Sequence, residues 1–453
     1  MRILLCSPPL ENIATIGEPD HIRICPHLGL YLLTAVLEEC GHQVRLVDPV
    51  DFESAFGSTE SITASVSDID VIGVSVNSCT WQKARELLLA LDALDSRPVT
   101  VLGGPHASIL DEHILRTAPV DYAVRGEGER SFPMLIDSLS RGRDMSKIPG
   151  ISYLKDEQLV RNPPGPLLSE EELAELPLPR FELMPDGYYD LIPVESSRGC
   201  YHACIFCSII YRRNWRGISP EALASRLSRQ EHLLPRTRHQ SFFIVDDCFT
   251  ADHDRMRRIA DELSGLQHQL IFEARITDLI AKGMMDTITS LPVRVIEMGV
   301  ECGYDEGLAR VGKKLTLAQV AEAAEIIKQH DLGDRSRFCF IIGLPWETKK
   351  EVFKTLEYAF KLTGRLGARL VASWLTLYPG SIIWRKRQEW GIDINEADYD
   401  NYKWWRAKDV FIRSHPGLDA EKDMEEIFAY AQMLMKLFPN IIHDGFFRYI
   451  PLD

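Results

Sequence analysis

Short apolar runs alternate with longer stretches of helical periodicity through most of this chain, and that alternation leaves few folds open. In the first 145 residues the runs fall at 3–6, 44–47, 71–75, 99–102 and 122–124. Residues 28–40 between them have helical period and are stopped by Gly41. The pattern predicts a Rossmann-like, doubly wound parallel sheet over residues 1–145. Small or polar residues follow the later runs: Ser75, Asn77 and Ser78, then Gly103-Gly104, then Gly126-Glu127-Gly128. Open α/β sheets bind ligands at the carboxyl ends of their strands, where missing side chains admit a bulky group. A set of tight turns is the other reading of the same residues.

Residues 146–190 carry Pro149, Pro163, Pro164, Pro166, Pro177, Pro179 and Pro185 and read as a linker laid over the surface. Alternation then resumes, with a strand before Cys200 and others at 241–245, 269–272, 293–300, 338–342 and 370–377. Six βα units fall short of a closed eight-unit barrel, so residues 191–385 are expected to form a partial (β/α)6 barrel. Residues 386–453 read as a small, mostly helical C-terminal segment, with an aromatic stretch (Tyr399, Tyr402, Trp404, Trp405) and a last helix near 421–437.

Composition removes several classes of function. The 66 acidic against 51 basic residues give a net charge of −15, which argues against nucleic-acid binding by charge. No apolar run reaches the roughly 18 residues of a membrane span, and the N-terminus lacks a secretion signal. Ten cysteines in 453 residues make no disulfide framework, so the expectation is a cytoplasmic protein with reduced thiols.

Three of those cysteines carry the chemistry. Cys200-Tyr-His-Ala-Cys204-Ile-Phe-Cys207 places three thiols within eight residues, directly after a strand. Structural zinc prefers paired Cys-x2-Cys knuckles with a fourth ligand, and His202 is poorly placed to supply it. Cubane iron–sulfur clusters usually take four cysteines, so three would leave one iron open. Zinc and plain buried cysteines remain the competing readings.

Cys-x3-Cys-x2-Cys with an aromatic residue before the last cysteine resembles the radical S-adenosylmethionine (SAM) superfamily. Further motifs recur in the family's order: Glu195-Ser-Ser-Arg198-Gly199, Asp246-Asp247-Cys248-Phe249-Thr250, Arg275, Gly299-Val-Glu301-Cys302-Gly303, Lys313, Gly343-Leu-Pro345-Trp-Glu347-Thr348 and Tyr378-Pro379-Gly380. Together with Leu28-Gly-Leu, Gly103-Gly104-Pro105-His106 and Gly126-Glu-Gly-Glu129, they resemble the branch with an N-terminal cobalamin-binding domain, over residues 1 to about 385. Cys302 stands where the family usually has Ser, and no Asp-x-His-x-x-Gly cobalamin motif is present.

The resemblance implies a 4Fe–4S cluster on Cys200, Cys204 and Cys207, with SAM chelating the open iron and yielding a 5′-deoxyadenosyl radical. It implies SAM contacts at Phe206, Asp246, Arg275 and Glu301. Arg275 would pair with the SAM carboxylate, or else form an internal ion pair with Glu301 or Asp246. Asp246 and Asp247 are strand neighbours, so at most one is expected to point inward. Cobalamin contacts are implied at Ser75, Asn77, Ser78, Gly103, Gly104, Gly126, Glu127 and Gly128, with no histidine ligand to cobalt. Tyr378 is a candidate catalytic group.

The implied activity is C-methylation of an unactivated carbon through methylcobalamin, on a small-molecule or peptidyl substrate. A flavodoxin- or ferredoxin-type reductant would supply electrons. Dehydration, cyclisation or epimerisation without methyl transfer is the alternative, and a non-catalytic metal-binding protein the remote one.

Overall fold

The computed structural model describes residues 1–9, 25–401, 414–445 and 447. Tyr402, Trp404 and Trp405 lie outside them. The chain divides into two compact units. The first comprises residues 1–192, 235–239 and 395–406; the second, residues 193–234, 240–394 and 407–453.

In the first unit, β1 (Arg2–Cys6), β2 (Gln43–Val47), β3 (Val71–Ser75), β4 (Val99–Gly103) and β5 (Tyr122–Val124) pair in parallel, in the order β2-β1-β3-β4-β5. Six helices follow the strands: α1 (Leu28–Glu39), α2 (Phe52–Phe56), α3 (Thr59–Val66), α4 (Trp81–Asp92), α5 (Gly104–Thr117) and α6 (Gly128–Arg141). The apolar faces of α1 and α6 meet the sheet through Leu30, Leu37, Phe132 and Leu135 against Ile3, Leu5, Val71 and Val101. Gly73 sits in mid-strand because a Cβ there would lie 2.7 Å from Leu5. The parallel sheet expected from the sequence is present.

The linker reading needs correction. Residues 146–190 contain β6 (Ile151–Lys155) and β7 (Gln158–Arg161), a hairpin that adds two antiparallel strands to β5. Its two-residue turn, Asp156-Glu157, has φ of 50° and 64°, the geometry favoured between twisted strands. Neither residue is the usual Gly or Asn, and the prolines flank the hairpin rather than interrupt it. Buried Asp111 ties the hairpin to the core, accepting from Ser152 Oγ at 2.5 Å and pairing with Arg125 and Arg161.

In the second unit the strands run β16-β15-β14-β13-β12-β11-β8. These are β8 (Leu191–Val194), β11 (Ser241–Ile244), β12 (Leu270–Ala274), β13 (Val293–Glu301), β14 (Ser336–Ile342), β15 (Arg369–Trp374) and β16 (His443–Gly445). A separate ribbon joins β9 (Ser197–Arg198) to β10 (Arg216–Gly217). Chain order along the sheet is the winding of an open barrel. Six strands were expected; β16, three residues from the C-terminal segment, is a seventh, parallel to β15. A run that short, with His443 and Asp444 in it, carries no strand signal.

The C-terminal segment is also divided. Its helix Lys422–Leu437 packs on Lys349–Leu366 in the second unit, with Phe353 and Tyr430 stacked at 4.3 Å. Residues 396–401 instead form a 3-10 turn belonging to the first unit. There Asp400 accepts from Trp81 Nε1 at 2.8 Å and lies 3.0 Å from His113 Nε2.

Candidate active site

The β9–β10 ribbon closes the base of the cysteine loop. Gly199 opens the loop at φ 82°, where a Cβ would collide with the carbonyls of Asn214 and Tyr211. The backbone then holds itself: Arg213 N donates to Cys200 O at 2.6 Å and Cys207 N to Cys204 O at 3.2 Å. Neighbouring segments grip it from outside. Ile205 N donates to Val311 O, Ile383 N donates to Ile205 O, and the Arg212 guanidinium donates to the carbonyls of Cys207 and Gly380. That last contact ties the Tyr378-Pro379-Gly380 turn to the loop, with Tyr378 half-buried beside it.

Cys200, Cys204 and Cys207 are all half-buried and free of disulfides. The structure brings them onto one loop; among the described residues, no three His, Cys, Asp or Glu side chains converge as a metal-holding set. The Cys200 thiol is pulled down to about 6, first by a hydrogen bond with Cys248, then by His202 N–H and the charge of Arg275. Burial pushes the Cys207 thiol up to about 11. Three thiols on one loop, one of them held toward thiolate by the neighbouring Cys248, fit an iron–sulfur cluster with an open iron.

The aspartate pair departs from expectation. Asp246 is buried, and its carboxylate accepts from the backbone N–H and hydroxyl of both Ser196 and Ser197 at 2.6–2.9 Å. All four donors belong to the chain leading into the loop, so Asp246 braces that loop rather than offering a free oxygen to SAM. Asp247 accepts from Gly199 N at 3.1 Å. Both therefore face the loop base: β11 ends at Ile244, and strand alternation no longer governs them. Asp247 is pushed up to about 7 by burial and by the negative charges of Cys200 and Asp246.

Arg275 follows β12 and is buried. One guanidinium nitrogen donates to Lys313 O at 2.5 Å, while its Nε is buried without a partner. Neither Glu301 nor Asp246 pairs with it. Glu301 instead takes Lys313 Nζ in a buried ion pair. It stands at a bulge in β13 with φ 79°, a conformation that non-glycine residues rarely adopt. An orphaned Arg donor beside a Glu–Lys pair fits a ligand bearing both a carboxylate and an amine, as SAM does. Phe206, between the second and third cysteines, is half-buried.

On the first unit, the expected cobalamin contacts divide into two groups. Gly103 ends β4 in an extended conformation, and a Cβ there would meet no atom within 4 Å. At Gly104 (φ 90°) an added Cβ would lie 2.6 Å from Val76 O and 3.1 Å from Ser75 Oγ. Gly126 donates its N–H to Ser108 Oγ, and Gly128 opens α6. The polar residues are already engaged. Asn77 Oδ1 accepts from Cys79 N and Thr80 N, a local turn. Ser78 Oγ is buried, 3.0 Å from His106 Nδ1. Glu127 accepts from Leu168 N at 2.7 Å. Asn77, Ser78 and Glu127 therefore shape the edge without offering their side chains to a ligand. The bare surface of Gly103 is what fits a flat macrocycle.

Two residues escaped the sequence reading. Cys248, which the sequence offers only as part of a motif, lies against Cys200, with Asp278 3.9 Å beyond. His27 reaches Ser75 Oγ at 3.2 Å through Nε2, while its Nδ1 accepts from Leu30 N and caps α1. Both ring nitrogens are thereby engaged. No spacing rule links positions 27 and 75, and only the fold joins them.

Residues 23–136 match the B12 binding domain family and residues 194–359 the radical SAM superfamily. An uncharacterized methyltransferase of Pyrococcus horikoshii is 31% identical over 408 residues, covering 85% of this chain and 82% of that protein. An anaerobic magnesium-protoporphyrin IX monomethyl ester cyclase of Synechocystis sp. is 25% identical over 343 residues, covering 73% and 67%. The fold is shared with the radical SAM methyltransferase TsrM from Kitasatospora setae, solved with cobalamin and a 4Fe–4S cluster bound: TM-score 0.73, 16% identity, 100% of this chain and 91% of that one. The three-cysteine loop and the glycine-edged sheet thus have their explanation in descent: the chain belongs to the radical SAM superfamily, in the branch that carries a B12-binding domain and works with cobalamin, SAM and a 4Fe–4S cluster.

Proposed function

We propose that the protein is a C-methyltransferase acting on an unactivated carbon of a small-molecule or peptidyl substrate. The observation that carries this reading is the edge around Gly103. It leaves bare backbone for a corrin ring, and on this reading neither histidine beside it ligates cobalt. His27 has both nitrogens engaged, and His106 is buried, with its ring stacked on Trp81. Cobalt without a strong lower ligand is more easily reduced to its nucleophilic state, which suits a methyl carrier recharged at every turnover.

When bound, the cluster and SAM supply a carbon-centred radical and cobalamin supplies the methyl group. The protein's share is positioning. On this reading the Arg275 Nε–H holds the SAM carboxylate, and the Glu301 carboxylate accepts from an amine or hydroxyl. Asp246 fixes the approach to the cysteine loop, and Arg212 fixes its exit against the turn that carries Tyr378. The free thiols of all ten cysteines favour a cytoplasmic setting.

The cyclase relative favours a second reading, ring closure without methyl transfer. Analysis of SAM-derived products under reducing, anaerobic conditions separates the two. Methylation releases S-adenosylhomocysteine and 5′-deoxyadenosine together, whereas 5′-deoxyadenosine alone would support cyclisation.

A further inference from the structure

Residues 246–250 run beside the cysteine loop and touch it at successive positions. Asp246 holds Ser196 and Ser197, and Asp247 accepts from Gly199 N at 3.1 Å. That last bond pins the residue before Cys248 to the residue before Cys200, and the Cys248 thiol is in hydrogen-bond contact with the Cys200 sulfur. Cys248 is 2% exposed, so its proton must be spent inside the protein. A thiol carries one proton, and two acceptors lie in reach. One is Asp278 Oδ2, 3.9 Å from Cys248 Sγ. The Thr250 hydroxyl, two residues further along the same segment, already donates to that oxygen at 2.6 Å. Thr250 Oγ1 in turn accepts from Arg275 N at 3.4 Å, which fixes it from the other side. The short oxygen–oxygen bond serves Asp278 and leaves the thiol proton for Cys200.

We propose that Cys248 is a tuning residue, which donates its S–H to the Cys200 sulfur in the loaded site and makes the cluster easier to reduce. Reduction adds one negative charge, and a hydrogen bond to a ligating sulfur is stronger the more negative that sulfur is. The reduced state therefore gains more from the bond than the oxidised state, and removing the donor lowers the potential. Cys248 acts through Cys200 rather than on the reacting atoms. Because the donor is neutral, replacing it changes no formal charge in the site. The proposal rests on the reading that Cys200, Cys204 and Cys207 hold that cluster.

The test is a redox titration of the anaerobic, cluster-loaded chain without SAM, followed by electron paramagnetic resonance of the reduced cluster, with iron content measured on the same samples. Cys248→Ala should lower the equilibrium constant for one-electron reduction about threefold to tenfold, which at about 59 mV per tenfold is a midpoint roughly 30–60 mV more negative. Cys248→Ser keeps a donor and should stay within about twofold of the wild type. An unchanged potential in Cys248→Ala overturns the proposal and leaves the cluster reading standing. Equal shifts in Cys248→Ala and Cys248→Ser overturn it too, because packing and not a donor would then set the potential. Should Cys248→Ala load no iron, Cys248→Val, which fills the space without a donor, is titrated in its place. Loss of iron from both assigns Cys248 to cluster assembly and overturns the tuning role. A wild-type chain that binds no iron overturns the cluster reading and the proposal with it.

Discussion

Glu301 and Lys313 form a buried ion pair that lies across the bare Cα of Gly299. A methyl group on Gly299 would fall on both charged groups at once. Gly299→Ala is therefore expected to push the pair apart and cost about 1–3 kcal/mol of stability, the usual range for overpacking. SAM affinity, read by calorimetry, should weaken while iron content stays normal. Unchanged affinity would remove the pair from the SAM site.

Neighbouring glycines on the first sheet should behave differently. Gly103→Val places its side chain in open space and should abolish cobalamin uptake without lowering the thermal midpoint. Gly104→Val would strain a φ of 90° and strike Val76, so its loss of cobalamin should come with a lower midpoint. Uptake is read from the visible spectrum after reconstitution with hydroxocobalamin. Retained uptake by Gly103→Val would move the cofactor off this strand end.

Changing Cys200, Cys204 and Cys207 together to Ala should remove all iron and all 5′-deoxyadenosine production. Arg275→Ala should keep its iron yet bind SAM at least about tenfold more weakly, the scale of a lost charge-assisted hydrogen bond. Normal SAM affinity in that variant would return the Arg275 side chain to its contact with Lys313 O.

Glu347 provides a pH signature away from the cysteines. It is buried, accepts from Gly343 N, Leu344 N and Tyr304 OH, and is pushed up from 4.5 to about 7 by burial. Between those values the folded chain holds a proton that the unfolded chain has lost. Its contribution, on the order of 3 kcal/mol, is complete below about pH 4.5 and is lost as pH rises through about 7. Glu347→Gln keeps the turn's acceptor and removes the titration. Denaturation curves between pH 5 and 8 should therefore slope less for the variant than for the wild type, and parallel slopes would refute the assignment.

Hydrophobic period exposed the two sheets because burial on both faces of a parallel strand leaves an unbroken apolar run, as in Val71–Ser75. Hairpin β6–β7 stayed hidden because its turn lacks Gly and Asn, and β16 because three residues make no pattern. At the site, the cysteine spacing is local chemistry and can be read directly. The contacts of Cys248 with Cys200 and of His27 with Ser75 join residues that are 48 positions apart in both cases, which only folding brings together. The Asp246-Asp247 pair failed for a different reason. Alternation is a property of strands, and these two residues lie just past the end of one.

The 3-10 turn Glu396–Asn401 has a consequence for how this protein is made. Asp400 serves Trp81 and His113, which precede it in the chain by 319 and 287 residues. A ribosome that has released the first 192 residues has delivered an unfinished domain, whose tryptophan and histidine still lack their shared carboxylate. Those two contacts can form only after residue 400 has emerged, past β8 to β15 of the second unit. The first module, separable on a family map, thus takes part of its polar interior from chain that is made after most of the second.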